Sequence, residues 1–193
     1  MSFRKLLIAN RGEIAIRIAR AAGESGIATV AIHPADDALS LHVRATDEAR
    51  EIPGRGARAL LDIEAVVAAA KAAGCDALHP GYGFLSENAM LARRCKEEGI
   101  TFVGPMPEAL DLFGDKVEAK ILAKRCGVPI IEGTEGPTTL DEVKAFFASL
   151  GANAAVMIKA LAGGGGRGMR IVEDVAEVDD PYARCQSEAR AAF

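Results

Sequence analysis

Residues 6–32 read LLIANRGEIAIRIARAAGESGIATVAI. The apolar run Leu6-Leu7-Ile8-Ala9 is short and stops at Asn10-Arg11-Gly12, which predicts a buried strand ending in a tight turn. From Glu13 to Glu24 the period changes. Ile14, Ile18 and Ala21-Ala22 fall on one face and Arg17 and Arg20 on another, the spacing of an amphipathic helix. Gly23 and Gly26 bracket its end. Ala28-Thr29-Val30-Ala31-Ile32 is a second strand. Strand, helix and strand in this order form the repeating unit of a doubly wound parallel sheet.

The same alternation continues outward. Asp62 to Ala73 is predicted to be a helix stopped by Gly74, and Asp76 to His79 a strand. A helix follows from about Asn88 to Glu98, closed by Gly99, and then a strand over Ile100–Val103. After Pro107 the pattern changes. Glu108 to Cys126 reads as two short helices broken near Gly114, and 129–136 as extended chain. Thr139 to Leu150 is a helix with Thr139 and Glu142 spaced as a capping box. Ala155–Lys159 and Met169–Val172 are strands around a glycine-rich loop. Asp180-Pro181 is placed at the start of a last helix. A domain boundary is expected near 105–115, giving an α/β domain over 1–110 and a smaller α+β unit over 111–193.

Composition narrows the function. The 193 residues carry a formal net charge of −4 and contain no tryptophan. That balance offers no positive field for nucleic acid, and no apolar stretch is long enough for a membrane span. A cytoplasmic protein is expected. Cys75, Cys95, Cys126 and Cys185 have no CxxC spacing and are read as reduced thiols. His33, His42 and His79 form no zinc pattern, so no metal site is assigned.

Three stretches could carry chemistry. Gly163 to Gly168 formally matches G-x-G-x-x-G, but a strand-like segment follows it. A flap over a phosphate fits better than a dinucleotide crevice. Lys159 at the end of the preceding strand could meet a phosphate as a point charge; composition alone favours an exposed lysine there. His79-Pro80-Gly81-Tyr82-Gly83-Phe84-Leu85-Ser86-Glu87-Asn88 follows the carboxyl end of a strand, where open α/β sheets bind ligands. Within it Phe84 and Leu85 are read as core anchors and Ser86 as an N-cap. His79 is equally a buried structural histidine or a catalytic one. Asn10-Arg11-Gly12-Glu13 occupies a turn that often binds anions. Asp36 and Asp37 are read as loop residues.

Taken together, Ala9–Ala15, His79–Asn88, Gly114-Asp115-Lys116, and Lys159 with Gly163–Met169 resemble biotin carboxylase. The motifs stand in that family's order and spacing and cover nearly the whole chain. The resemblance implies a Rossmann-like parallel sheet followed by the first part of an ATP-grasp domain, an α+β lid truncated at its C-terminus. It implies ATP- and bicarbonate-dependent carboxylation of biotin. It assigns ATP binding to Lys116, Lys159, Gly164, Gly165, Gly166 and Met169, and a biotin-side loop to His79, Tyr82 and Gly83. No catalytic residue is assigned within the segment. Magnesium ligands, the catalytic base and a biotin-contacting arginine are expected beyond Phe193, so the chain alone is expected to be inactive. Expected partners are a biotin carrier domain, a carboxyltransferase domain or subunit, and a second copy. For the second copy, the exposed Arg17, Arg20 and Glu24 are a candidate surface, against the simpler reading of a solvated face. Leu161 departs from the small or hydroxyl residue usual in the family. The alternatives are a fragment of another ATP-grasp ligase, such as carbamoyl phosphate synthase, and a non-catalytic dimerisation or regulatory module. The NRGEIA turn and the HPGYGFLSEN stretch argue against the ligase.

Overall fold

The computed structural model describes residues 3–134, 136–151, 153–160 and 168–192. The chain divides into two compact units, 1–119 and 120–193.

The first unit contains β1 (Lys5–Ile8), α1 (Gly12–Glu24), β2 (Ala28–His33), α2 (Leu41–Arg44), β3 (Glu48–Glu51), α3 (Ile63–Ala72), β4 (Ala77–His79), α4 (Ala89–Glu97), β5 (Thr101–Phe102) and α5 (Pro107–Gly114). The strands form one sheet in the order β3-β2-β1-β4-β5, with parallel pairing throughout. Successive side chains of β1 point to opposite faces. Leu6 and Ile8 pack with Ala15, Ile18, Ala19 and Ala22 of α1, while Leu7 joins Val66, Val67 and Leu91 of α3 and α4. Helices thus cover both faces, which is why β1 reads as an unbroken apolar run rather than an alternating one.

The helix ends follow local chemistry. Asp62 and Asn88 accept the Ala65 and Leu91 amides and cap α3 and α4. Asn88 takes the cap that the sequence suggested for Ser86. At the other ends, α1, α3 and α4 stop in the same way, with left-handed Gly26, Gly74 and Gly99. The next residue then bonds back into the last turn, as in Ile27 N–H to Ala22 O and Cys75 N–H to Ala70 O. Glycine reaches this conformation without a Cβ clash. Several elements escaped the sequence reading, among them α2 and the 3-10 helix Gly56–Leu61. β3 is a charged edge strand with no apolar period to announce it, and a 3-10 turn spans Ala35–Asp37.

α6 (Lys116–Arg125) carries the boundary between the units. The second unit continues with α7 (Leu140–Ser149), β6 (Val156–Lys159), β7 (Met169–Val172) and α8 (Asp179–Ala192). The Thr139–Glu142 capping box forms as the sequence predicts. β6 and β7 pair antiparallel. One face of this pair, with Val156, Ile158 and Val172, packs against Val143, Phe147, Val178 and Cys185. α8 begins at Asp179, one residue before the expected cap, leaving Pro181 in the first turn where its missing N–H costs nothing. Among the described residues no helix is long and apolar enough to cross a membrane.

Thiol reactivity should report this packing. Cys75, Cys95 and Cys185 are buried and Cys126 is exposed. Burial pushes the Cys75 and Cys95 thiols up to about 11. Because the thiolate is the reactive form, a thiol reagent at neutral pH should modify Cys126 first and Cys75 and Cys95 only on unfolding. Mass spectrometry of the labelled native chain checks this, and early labelling of Cys95 would contradict it.

Candidate functional site: a clasped crevice and an open sheet face

In the first unit β1 lies between β2 and β4, and the chain reverses its direction of winding there. The carboxyl ends of β1 and β4 flank the crevice in which open α/β sheets bind ligands. Here a buried side chain bridges the two strand ends. Asn10 is only 2% exposed. Its Nδ2 donates to Pro80 O at 2.7 Å and Tyr82 O at 2.9 Å, and its Oδ1 accepts the Arg11 amide at 2.9 Å. At the Asn10–Glu13 turn, whose Arg11 amide is taken by the Asn10 side chain, the carboxamide serves the neighbouring loop. It ties the end of β1 to the loop after β4.

The loop after β4 is held from several directions. The Gly81 amide donates to His79 Nδ1 at 3.0 Å. A ring nitrogen that accepts cannot carry the proton, so His79 is neutral with its hydrogen on Nε2. The Tyr82 hydroxyl donates to Glu13 on α1, which raises the phenol pKa. Gly83 and Phe84 both have positive φ, and for phenylalanine that is a strained conformation. Leu85 is buried as expected, but Phe84 is partly exposed and is not a core anchor. The structure thus brings the candidate residues His79, Tyr82 and Gly83 together with Asn10 and Glu13.

Beside them Arg11 Nε donates to Asp37 Oδ2 at 2.8 Å, so Asp37 is an ion-pair partner rather than a plain loop residue. Burial would raise the Asp37 carboxyl, but hydrogen bonds from Arg11 and Ser40 outweigh it and hold the pKa below the usual range. His42 is fully buried and its Nε2 donates to Ile32 O at 3.3 Å.

Burial lowers the pKa of both His79 and His42 from the ordinary 6.5. The fold prefers the neutral imidazoles, so this contribution to stability is complete above about 6.5 and is lost as pH falls through the lower folded values. Protonation of His79 would also remove the acceptor used by Gly81. An NMR titration should find both histidines titrating below 6.5, with denaturant stability falling as pH drops below about 6.5. Midpoints at or above 6.5 would contradict this.

The second unit supplies a different surface. β6 and β7 pair Met157 with Ile171 and Lys159 with Met169. These four residues share the face opposite the buried Val156 and Val172. Met157 and Ile171 are exposed. The result is an apolar sheet face with an ammonium at one end, suited to a flat apolar ring and an attached anion. Sequence reading found Lys159 and Met169. It missed Met157 and Ile171, which become visible only through the strand register. Lys116, in the first unit, is exposed at the start of α6, where Asp115 accepts the Val117 and Glu118 amides. Gly164, Gly165 and Gly166 lie outside the described residues. Among the described residues no cluster of three His, Cys, Asp or Glu side chains is arranged to hold a metal ion.

A family model described as "Biotin carboxylase, N-terminal domain" matches residues 2–110. The chain belongs to the biotin carboxylase family. A second model, "Carbamoyl-phosphate synthase L chain, ATP binding domain", matches residues 115–193. Among curated relatives, the pyruvate carboxylase of Bacillus subtilis is 52% identical over 100% of this chain and 17% of its own length. The biotin carboxylase of Pseudomonas aeruginosa is 48% identical over 98% of this chain and 42% of its own length. The chain therefore spans well under half of these relatives.

Solved biotin carboxylases share the fold. The biotin carboxylase domain of the 2-oxoglutarate carboxylase from Hydrogenobacter thermophilus superposes with a TM-score of 0.92 at 43% identity. It covers 100% of this chain and 42% of that one, and was solved as a dimer with MgADP, ADP and bicarbonate. The Campylobacter jejuni biotin carboxylase, solved as a β-γ-ATP complex, gives 0.92 at 39% identity over 100% of this chain and 43% of that one.

Proposed function

We propose that residues 1–193 form the N-terminal part of the biotin carboxylase component of a biotin-dependent carboxylase, which uses ATP and bicarbonate to carboxylate biotin. The observation that carries this reading is the open face of β6 and β7, with Lys159 beside Met157, Ile171 and Met169. Lys159 is exposed and, among the described residues, makes no ion pair. It holds a phosphate of ATP by charge, and the apolar residues meet the base. The family resemblance assigns Lys116 and Gly164–Gly166 to ATP as well. The relatives solved with nucleotide support the assignment.

The Tyr82–Gly83 turn, with His79 behind it, faces the biotin acceptor. Residues 1–110 serve as the N-terminal domain and 111–193 as the first part of the ATP-grasp domain. Magnesium would neutralise phosphate charge when bound; its carboxylate ligands lie outside residues 1–193. A biotin carrier domain and a carboxyltransferase domain or subunit complete the enzyme, and two copies associate; the Arg17–Arg20–Glu24 face of α1, exposed in this chain, is the candidate surface against the simpler reading of a solvated face. A solved relative is a dimer.

The test is transfer of labelled bicarbonate to biotin by the purified full-length protein. ATP-dependent labelling is expected, and none from residues 1–193 alone, because the reacting groups must be held together in one site. No labelling by the full-length protein would overturn the reading.

A further inference from the structure

The clasp at the switch point links two segments of the first unit far apart in sequence. We propose that Asn10 is the positioning residue of the Tyr82 turn, with Glu13 as a second hold on the phenol. Together they present the Tyr82 ring as a fixed wall on the acceptor side. The proposal rests on the biotin-side reading of Tyr82 given above and goes beyond it by assigning two residues of the β1–α1 segment to positioning that turn.

Four observations carry it. Asn10 is buried, and both of its N–H donors are spent on one short stretch of backbone, Pro80 O and Tyr82 O. A carboxamide is the group suited to this, since it offers two donors in one plane and still accepts through oxygen. Next, Gly81 is shaped to Asn10. Its φ is +68°, and a Cβ there would lie 2.7 Å from Asn10 Nδ2. Third, Tyr82 is 61% exposed, a degree of exposure at which a tyrosine ring ordinarily samples several rotamers. Here its backbone is fixed by Asn10 and its hydroxyl by Glu13, so both ends of the side chain are tethered. Finally, His79 holds the middle of the turn through the Gly81 amide, so the clasp sets the turn's shape as well as its distance from β1. Asn10, Glu13 and His79 thus all bond to residues 80–82, and Tyr82 is the exposed side chain they hold.

Preorganisation of this kind acts on the ligand that meets the turn and not on a ligand elsewhere. The experiment uses the full-length protein with free biotin as probe, measuring bicarbonate-dependent ATP hydrolysis with and without biotin. In Asn10→Asp the carboxylate cannot donate and would face two carbonyl oxygens. The biotin concentration for half-maximal stimulation should rise about ten-fold or more. The half-saturating ATP concentration and the hydrolysis without biotin should stay within about two-fold. Glu13→Ala should give a smaller rise of the same kind, and Glu13→Gln, which keeps an acceptor oxygen, should restore it. If Asn10→Asp does not fold, the two Glu13 variants decide the matter by the same readout.

Equal changes in the ATP and biotin parameters would make Asn10 a support of the whole unit and overturn the proposal. Unchanged biotin dependence would do so as well. If the unsubstituted protein shows no biotin stimulation, the biotin-side reading fails. The clasp is then judged by amide exchange at Gly81 to Gly83, which should quicken in Asn10→Asp while β1 and β4 keep their protection. Unchanged exchange at those amides would overturn the role of Asn10 itself.

Discussion

In the full-length protein, Lys159→Ala should raise the ATP concentration needed for half-maximal turnover by roughly ten- to a hundred-fold. Losing a charge-assisted phosphate contact costs about 1.5–3 kcal/mol, and each 1.4 kcal/mol is about a factor of ten. Lys159 stands at the end of β6, opposite Met169, on the face that also carries Met157 and Ile171. Its ammonium is exposed, so removing it leaves no buried charge and should not unfold the unit. Lys116→Ala, at the start of α6, should act in the same direction. Steady-state ATP kinetics on the two variants check this. Unchanged kinetics in both would remove the lysines from the nucleotide site.

The largest effect on stability should come from the centre of the parallel sheet. Leu7 is fully buried in β1 and belongs to the core formed with α3 and α4. Leu7→Ala deletes packing from both and leaves a cavity in a layer closed by helices. The cost should be about 2–5 kcal/mol, seen as a fall of roughly 4–20 °C in the midpoint of thermal unfolding. Met157→Ala is the control. That side chain is exposed, so its loss should change stability by less than about 0.5 kcal/mol, although it lies on the proposed nucleotide face. A Leu7→Ala midpoint within a few degrees of the parent would mean the core has repacked around the loss.

Much of the fold is legible in the sequence. β1, α1 and β2 follow from the switch between an apolar run and helical spacing, and the glycines after α1, α3 and α4 mark their ends because each takes a left-handed conformation. β3 is not legible. Its residues Glu48, Ala49, Arg50 and Glu51 form the charged edge of the sheet, and edge strands lack the periodicity that announces buried ones.

The site divides in the same way. Lys159 and the glycine-rich loop stand out in the sequence, but their tie to ATP came from the family resemblance. Met157 and Ile171 needed the register of β6 against β7. Asn10 was visible only as part of a turn, because its partners Pro80 and Tyr82 are about seventy residues away. A side chain that bonds backbone at that separation leaves no local pattern. The adjacency of β1 and β4 that permits the clasp follows from strand order and not from strand existence.

The central claim is that nucleotide is bound on the open face of β6 and β7 and not in the crevice at the carboxyl end of the parallel sheet. The direct measurement is a crystal structure of the full-length protein with a non-hydrolysable ATP analogue. The account predicts Lys159 Nζ at hydrogen-bonding distance, about 2.7–3.2 Å, from a phosphate oxygen, with the base against Met157, Ile171 or Met169. A nucleotide seated at the Asn10 turn, with the Asn10 to Pro80 and Tyr82 bonds broken, would contradict it.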